Sequence, residues 1–135
     1  MRLTKKLKKD ITKRFNKIAK EFGRSDYHKR KPFLNLIKLK QIHQFNSDFA
    51  HGAVKKRELK DICGWFDPND SSIVVIIDNM ENRVDVIKTI LHEYTHYLQS
   101  PRWMTRYYSS GYSYKNHPYE KQAIKAEKKY KRFLI

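Results

Sequence analysis

Two histidines and a glutamate in the segment TILHEYTHYLQ, which runs from Thr89 to Gln99, have the clearest potential for chemistry. His92 and His96 are four residues apart, so on a helix their imidazole rings project from one face and can bind one metal ion together. Glu93 lies about 100° round the helix from His92, where its carboxylate can reach a water molecule on that metal without being a ligand. The pattern H-E-x-x-H therefore predicts a site for metal-assisted hydrolysis.

A catalytic zinc site needs three protein ligands and one open position, so the chain must supply a third ligand. The residues after His96 are YLQSPRWM, which excludes the extended motif H-E-x-x-H-x-x-G-x-x-H. Among the downstream candidates, Glu120 is favoured because it falls in the first turn of a helix opened by Pro118, where the helix dipole stabilises a carboxylate. His117 is the alternative ligand. Glu127, two turns further on, could hydrogen-bond a ligand but is expected to be solvated.

Together, TILHEYTHYLQ and the later segment NHPYEKQA resemble the small phage- and virus-encoded metallopeptidases of the gluzincin type. The resemblance covers residues 65–127, nearly half of the chain, and is specific at the two motifs. The SprT-like DNA-repair proteases are a poorer match. Their third histidine follows the motif in a G-H context, whereas Gly111 and His117 of this chain are not adjacent.

The gluzincin resemblance implies one Zn²⁺ per chain, held by His92, His96 and Glu120, the last in an E-x-x-A helix. It implies that Glu93 is the catalytic base, which takes a proton from the attacking water and returns it to the leaving amine. It also implies a zincin-like α+β fold, in which a small antiparallel sheet lies beside the metal-binding helix.

Strands are predicted on the N-terminal side of the motif. Two runs rich in β-branched and aromatic residues, 62–66 and 73–77, are joined by the turn residues DPNDS and predict a β-hairpin. The second run is apolar at every position, so we expect it to be covered on both faces. Residues 33–42 predict another strand. The segment 43–60 is ambiguous between a long loop and a strand or helical turn around Val54.

The motif helix is predicted to end at Pro101, and a last helix opens at Pro118 and extends towards Leu134. Five residues form the expected apolar stripe of the motif helix: Val84, Ile87, Leu91, Tyr94 and Leu98. Residues 102–116 are predicted to be an ordered loop close to the metal. The side chains there that could stabilise an oxyanion or contact substrate are Tyr107, Tyr108, Tyr112 and Tyr114, together with His117.

The N-terminus predicts a basic amphipathic helix, residues 1–24, ahead of a metallopeptidase domain, residues 25–135. Apolar residues recur at helical spacing, and Gly23 is the expected C-cap: Leu3, Leu7, Ile11, Phe15, Ile18 and Phe22. Basic residues fill the other faces and are candidates for contacting nucleic acid: Lys5, Lys6, Lys8, Lys9, Lys13, Arg14 and Lys17. The other interpretation is a helix packed on the domain with a solvated lysine face.

Charge and composition narrow the classes of partner. Thirty Lys and Arg residues stand against 14 Asp and Glu residues, a formal net charge of +16, which favours phosphate backbones, acidic proteins or anionic lipid heads as partners. The single cysteine, Cys63, permits no internal disulfide. No apolar run is long enough to span a membrane and no secretory signal is recognisable, so we expect a cytoplasmic protein, in a host cytoplasm or a virion if it is viral.

These patterns predict a zinc-dependent metallopeptidase that acts on a protein or peptide substrate with narrow specificity. Two alternatives stay open: a basic nucleic-acid-associated binding protein on a zincin fold, and a metal-dependent hydrolase of a non-protein amide. The presence of Glu93 favours an enzyme over a binding protein, because a site that only binds has no use for a base beside its metal.

Overall fold

The computed structural model describes residues 1–42 and 62–135. This part of the chain contains four α-helices and one three-stranded sheet, which confirms the α+β prediction. In chain order the elements are α1 (Lys5–Phe22), β1 (Phe33–Ile37), β2 (Gly64–Asp67), β3 (Ser72–Ile76), α2 (Arg83–Leu98), α3 (Pro101–Ser109) and α4 (Pro118–Glu127). The ambiguous segment around Val54 lies outside the described residues. None of the helices described is both long and apolar enough to cross a membrane.

The sheet has the order β1-β3-β2 and is mixed. β2 and β3 form the predicted antiparallel hairpin, with Gly64 opposite Val75 and Asp67 opposite Ser72. β1 runs parallel to β3, with Phe33 opposite Ser72, so the prediction of an antiparallel sheet is wrong for this strand. A short turn forces its two strands to be antiparallel, whereas the long connection from β1 to β3 leaves either direction open.

The central strand β3 is buried along its whole length, which confirms the prediction that both of its faces are covered. One face joins Ile73 and Val75 to the main core beneath α1 and α2. The other joins Val74 and Ile76 to a smaller cluster with Ile37. A strand covered on both faces needs apolar residues at every position, which explains the unbroken run in the sequence.

α1 lies within the predicted range 1–24 but begins at Lys5 and ends at Phe22, and it packs into the same core as α2. The Thr4 hydroxyl accepts a hydrogen bond from the Leu7 N–H at the start, and Gly23 ends the helix with a φ of 76°. Ile11, Phe15 and Ile18 are its buried residues. Tyr94 of α2 packs edge-on against Phe15, with the ring centroids 6.3 Å apart, and its hydroxyl donates to the Gly23 carbonyl.

α2 carries the motif, and its buried face is wider than the predicted stripe. Asn82 caps its start by accepting a hydrogen bond from the Asp85 N–H. Val84 and Leu98 of the predicted stripe are only half-buried. The buried apolar residues are Val86, Ile87, Ile90, Leu91, Tyr94 and Tyr97. The predicted stripe assumes that α2 has one contact surface. In the structure α2 packs against α1, against β2 and β3, and against α4, so more of its residues are buried.

The segment after the motif helix is α3, and the prediction of a loop through residues 102–116 is therefore wrong for its first part. Pro101 occupies the first turn of α3, and Ser100 caps it by accepting a hydrogen bond from the Trp103 N–H. None of the α3 residues is buried, so its polar-aromatic sequence lacked the apolar periodicity that predicts a packed helix. Pro118 begins α4 as predicted, but α4 ends at Glu127, and Tyr130–Phe133 forms a separate 3-10 turn.

Gly64 sets the distance between β2 and the motif helix. A Cβ atom at this position would lie 2.3 Å from the Val74 carbonyl oxygen and 3.1 Å from Thr89 Cγ2. The clash with the Val74 carbonyl is the more severe, so we expect Gly64→Ala to distort the pairing of β2 with β3, to push β2 away from α2, and to lower the free energy of unfolding by about 1–3 kcal/mol. Urea denaturation followed by circular dichroism measures this, with Asp70→Ala in the exposed turn as the control. Equal stability of the two variants would contradict the close approach.

Candidate metal centre

The packing of α4 against α2 brings three predicted ligands together. One possible ligand atom from each of His92, His96 and Glu120 lies within 4.8 Å of the other two, close enough for all three to bind one metal ion. Glu120 Oε2 is 3.1 Å from His92 Nε2, and Glu120 Oε1 is 3.0 Å from His96 Nε2. The predicted third ligand therefore faces both histidines, although 24 residues separate His96 from Glu120 in the sequence.

The outward ring nitrogens of both histidines have hydrogen-bond acceptors. His92 Nδ1 lies 2.9 Å from Glu127 Oε2, and His96 Nδ1 lies 2.7 Å from Gln99 Oε1. The Gln99 amide NH₂ donates to the Tyr119 carbonyl and to Gln122 Oε1, both at 3.0 Å, so its oxygen is the atom that faces His96. Both Nδ1 atoms therefore carry protons, and both Nε2 atoms face Glu120. Each Nε2 donates a hydrogen bond to Glu120 when the ring is protonated and offers a lone pair to a metal ion when the ring is neutral.

Glu127 was expected to be solvated, and that expectation is wrong. Its carboxylate accepts the hydrogen bond of His92, because α4 continues for two turns beyond Glu120 along α2. The role of Gln99 was not predicted from the sequence. Its position three residues after His96 on the same helix face was a usable signal, because residues at i and i+3 are neighbours on a helix.

Burial and charge act in opposite directions on the ionisation of this cluster. Burial disfavours the charged form of His92, but hydrogen bonds with Glu120 and Glu127 and the nearby Glu93 charge raise its pKa to about 10. The pKa of His96 is raised in the same way, against burial, by Glu120 and Glu93. Burial alone would raise the pKa of Glu120, but its hydrogen bonds with the two histidines lower it to about 2. The cluster therefore attracts positive charge strongly, whether protons or a metal ion.

Glu93 lies beside this cluster and is buried, at 8% exposure. Its Oε1 atom is 4.0 Å from His92 Nε2, and the backbone N–H of Phe66 in β2 hydrogen-bonds its carboxylate. Burial raises the pKa of Glu93, while the two histidines oppose that shift. A carboxylate whose pKa is raised is a better proton acceptor, as a general base requires.

A cleft of about 500 Å³ opens over the cluster. Trp65 and Phe66 of β2 line one part of it, and Met104 and Tyr108 of α3 line another. Tyr114 also lines the cleft, and its hydroxyl hydrogen-bonds Glu120. Burial of that hydroxyl and the Glu120 charge raise the pKa of Tyr114 to about 12, so the phenol stays protonated at neutral pH.

His117 was predicted as an alternative ligand or as an oxyanion donor, but it lies outside both the ligand group and the cleft. It is fully buried at the start of α4, where its Nδ1 accepts a hydrogen bond from the Tyr119 N–H at 3.1 Å. Its Nε2–H donates to the Met104 carbonyl, also at 3.1 Å. The Nδ1 bond therefore caps the start of α4, and the Nε2 bond joins α4 to α3.

Tyr107 and Tyr112 also lie apart from the residues that line the cleft. Tyr107 packs against His117, with ring centroids 5.3 Å apart, and against Tyr112, at 5.5 Å. Of the predicted oxyanion or substrate residues, only Tyr108 and Tyr114 line the cleft among the residues described.

Two basic residues of α1 are tied to other groups. Arg14 pairs with Asp10 at 3.3 Å, and its side chain is only 12% exposed. Lys17 Nζ donates to the Ile135 carbonyl oxygen at 2.6 Å. These contacts leave the other five predicted nucleic-acid residues, Lys5, Lys6, Lys8, Lys9 and Lys13, as the freely exposed basic set.

The three comparisons with known proteins give no relative from which a role could be transferred. The chain matches no protein family, no curated protein and no solved structure. What can be said of its chemistry therefore rests on the residues and geometry of the cluster itself.

The ligand set predicts a graded response of metal affinity to substitution. We expect His92→Ala, His96→Ala and Glu120→Ala each to weaken Zn²⁺ binding by more than about 100-fold, whereas Glu127→Ala, which removes only a hydrogen-bond partner, should cost about 10–100-fold. Competition with a chelating dye measures these affinities, and the exposed Glu81→Ala variant is the control. Zinc binding by Glu120→Ala at the parent's affinity would place the third ligand elsewhere.

The raised histidine pKa values predict proton release on metal binding. A histidine must be neutral to bind a metal, so affinity should fall as the pH falls. Because the pKa of His92 is about 10, this dependence should persist above pH 7, at about tenfold per pH unit for each proton displaced. Calorimetry at pH 8 in buffers of different ionisation enthalpy counts the released protons. Ordinary histidines would release almost none at this pH, and that result would contradict the raised pKa values.

Proposed function

We propose that this protein is a zinc-dependent peptidase of the zincin type. The observation that carries the proposal is the convergence of His92 Nε2, His96 Nε2 and the Glu120 carboxylate, with both outward histidine nitrogens held by acceptors. Two imidazoles and one carboxylate are a donor set of catalytic zinc sites, and hydrogen-bonded outer nitrogens are typical of histidine ligands. The cluster therefore fits a zinc ion, with His92, His96 and Glu120 as its ligands.

Zinc bound there would supply Lewis acidity, which polarises a carbonyl and lowers the pKa of water. The protein's own part begins with Glu93, which is placed beside the ligands by α2 and oriented by the Phe66 N–H. Glu93 would accept the proton of the attacking water and then donate it to the leaving amine. Burial of Glu93 raises the pKa of its carboxyl group, which favours both acceptance and later donation of a proton by one residue.

Tyr114 is the residue best placed to stabilise negative charge on the substrate. Its hydroxyl reaches the ligand Glu120 from the wall of the cleft and remains protonated at neutral pH. If the phenol turned its single hydrogen from Glu120 to the substrate, it would stabilise the oxyanion that develops when a carbonyl is attacked. Tyr108 lines the same cleft and is assigned here to contact with the substrate.

The shape of the cleft supports a peptide as substrate. β2 is an edge strand of the sheet, and its residues Trp65 and Phe66 line the cleft. The apolar surfaces of Met104 and Pro101 lie on the α3 side. A cleft with apolar walls and a few polar groups at its base suits side chains of an extended chain, and its limited volume favours narrow specificity.

The test separates metal binding from catalysis. We expect Glu93→Gln to bind Zn²⁺ like the parent but to cleave a peptide library at least about 100-fold more slowly, since general acid–base catalysis contributes about 10²–10⁴-fold. Asp85→Asn, a change of the same type earlier in α2, is the matched control. Cleavage products identified by mass spectrometry should vanish with a chelator and return with zinc.

Two results would count against the proposal. Equal cleavage by Glu93→Gln and the parent would remove Glu93 as the base. Absence of any zinc-dependent cleavage by a parent protein that holds zinc would favour a hydrolase of a non-protein amide or a binding protein.

A further inference from the structure

α1 presents an exposed lysine surface that the proposed peptidase activity does not use. We define the α1 lysine surface as Lys5, Lys6, Lys8, Lys9 and Lys13, all of which are exposed. With Thr12, Asn16 and Asp10 they line a shallow groove along the outside of the helix. At 1.5 Å rise per residue, the five lysines extend over about 12 Å.

The acidic residues of α1 do not compensate these lysines, because arginines already pair with them. Asp10 accepts from Arg14 at 3.3 Å and from Arg83 of α2 at 3.1 Å. Glu21 pairs with Arg132. Across residues 1–42 and 62–135, none of the ion pairs includes a lysine of the α1 lysine surface. The five positive charges therefore stay available to an external anion.

The opposite face of α1 is already buried in the protein. Ile11 and Ile18 are 0% exposed and Phe15 is 7% exposed, all within the main core. An amphipathic helix that binds a lipid surface inserts its apolar face between the lipids, and α1 has no such face to offer. This arrangement favours a partner that is bound by charge alone.

We propose that the α1 lysine surface binds the phosphate backbone of duplex nucleic acid without sequence preference. Over about 12 Å, the two strands of a DNA duplex present about seven phosphates, enough for five lysines. The groove has no aromatic residue that could stack on unpaired bases, and Asn16 is the one side chain in it with the paired donor and acceptor of an amide. Five lysines against one amide favour contact with phosphates over reading of bases. Lysines act here as point charges that neutralise phosphates.

The salt dependence of binding tests the proposal. If five phosphates are neutralised, log Kd should change with log salt with a slope of magnitude about 4.5, so affinity for a 20-base-pair duplex should fall about 500-fold from 50 to 200 mM NaCl. Fluorescence anisotropy with two duplexes of unrelated sequence measures this. We expect equal affinity for both duplexes, and we expect replacement of all five lysines by glutamine to abolish most of the slope.

A matched control separates this surface from the overall charge of +16. Lys29, Lys31, Lys115, Lys125 and Lys131 are exposed and lie outside α1, so their replacement by glutamine removes the same charge. This variant should keep the slope of the parent. The smaller variant Lys9→Gln/Lys13→Gln should lower the slope by about two, and thermal unfolding checks that each variant is folded.

Three outcomes would overturn the proposal. One is a flat salt dependence of the parent protein, and another is an equal loss of slope in the control variant, which would assign the effect to net charge. The third is tighter binding of phosphatidylserine vesicles or polyglutamate than of DNA at the same salt, which would assign the surface to another class of partner. Because zinc affinity is measured separately, none of these results depends on the peptidase proposal.

Discussion

The candidate site depends on one electrostatic constraint: three groups that donate electron pairs lie close together and need positive charge between them. His92, His96 and Glu120 face one another at about hydrogen-bonding distance inside a partly buried cleft. Such a cluster is stable only when positive charge lies among its members, supplied by protons or by a metal ion. The raised histidine pKa values and the lowered pKa of Glu120 are both expressions of this demand.

The rest of the fold holds those donors in place. α1 and the sheet bury one side of α2, with Tyr94 packed against Phe15 and tied to Gly23. α4 crosses the other side of α2 and brings Glu120 and Glu127 to the histidines. His117 fixes the start of α4 by bonding to the Met104 carbonyl of α3. His117, the alternative ligand, is thus a structural residue that helps to position Glu120, the candidate ligand.

Acidic and basic side chains are concentrated in different parts of the protein. Glu93 of α2 and Glu120 and Glu127 of α4 lie at the candidate metal centre, whereas the acidic residues of α1 are paired with arginines. The lysines of the α1 lysine surface stay exposed to solvent. The two proposals therefore concern different surfaces and different physics: short-range ligation in a buried cleft, and long-range attraction by an open helix face.

Local features, which depend on spacing and residue type, could be predicted from the amino-acid sequence. The histidine pair and Glu93 follow from helical periodicity, the hairpin from its turn residues, and α1 from its apolar repeat and Gly23. Even the choice of Glu120 over His117 and Glu127 could be argued from its position after Pro118. Each of these rests on neighbours within a few residues, where the geometry of the chain is fixed by elementary stereochemistry.

The contacts between distant groups could not be predicted from the sequence and are seen in the folded chain. Three contacts join segments that lie in different elements of the chain: the parallel pairing of β1 with β3, the hydrogen bond of His92 with Glu127, and the bond of His117 to the Met104 carbonyl. The spacing of Gln99 from His96 is local, but the orientation of its amide group is set by the Tyr119 carbonyl and the Gln122 side chain of α4. Such contacts depend on how whole elements pack, which spacing within one segment does not reveal. For α4 the difficulty was greater, because α3, the helix that connects α2 to α4, is short and has no buried residue and therefore shows no apolar periodicity.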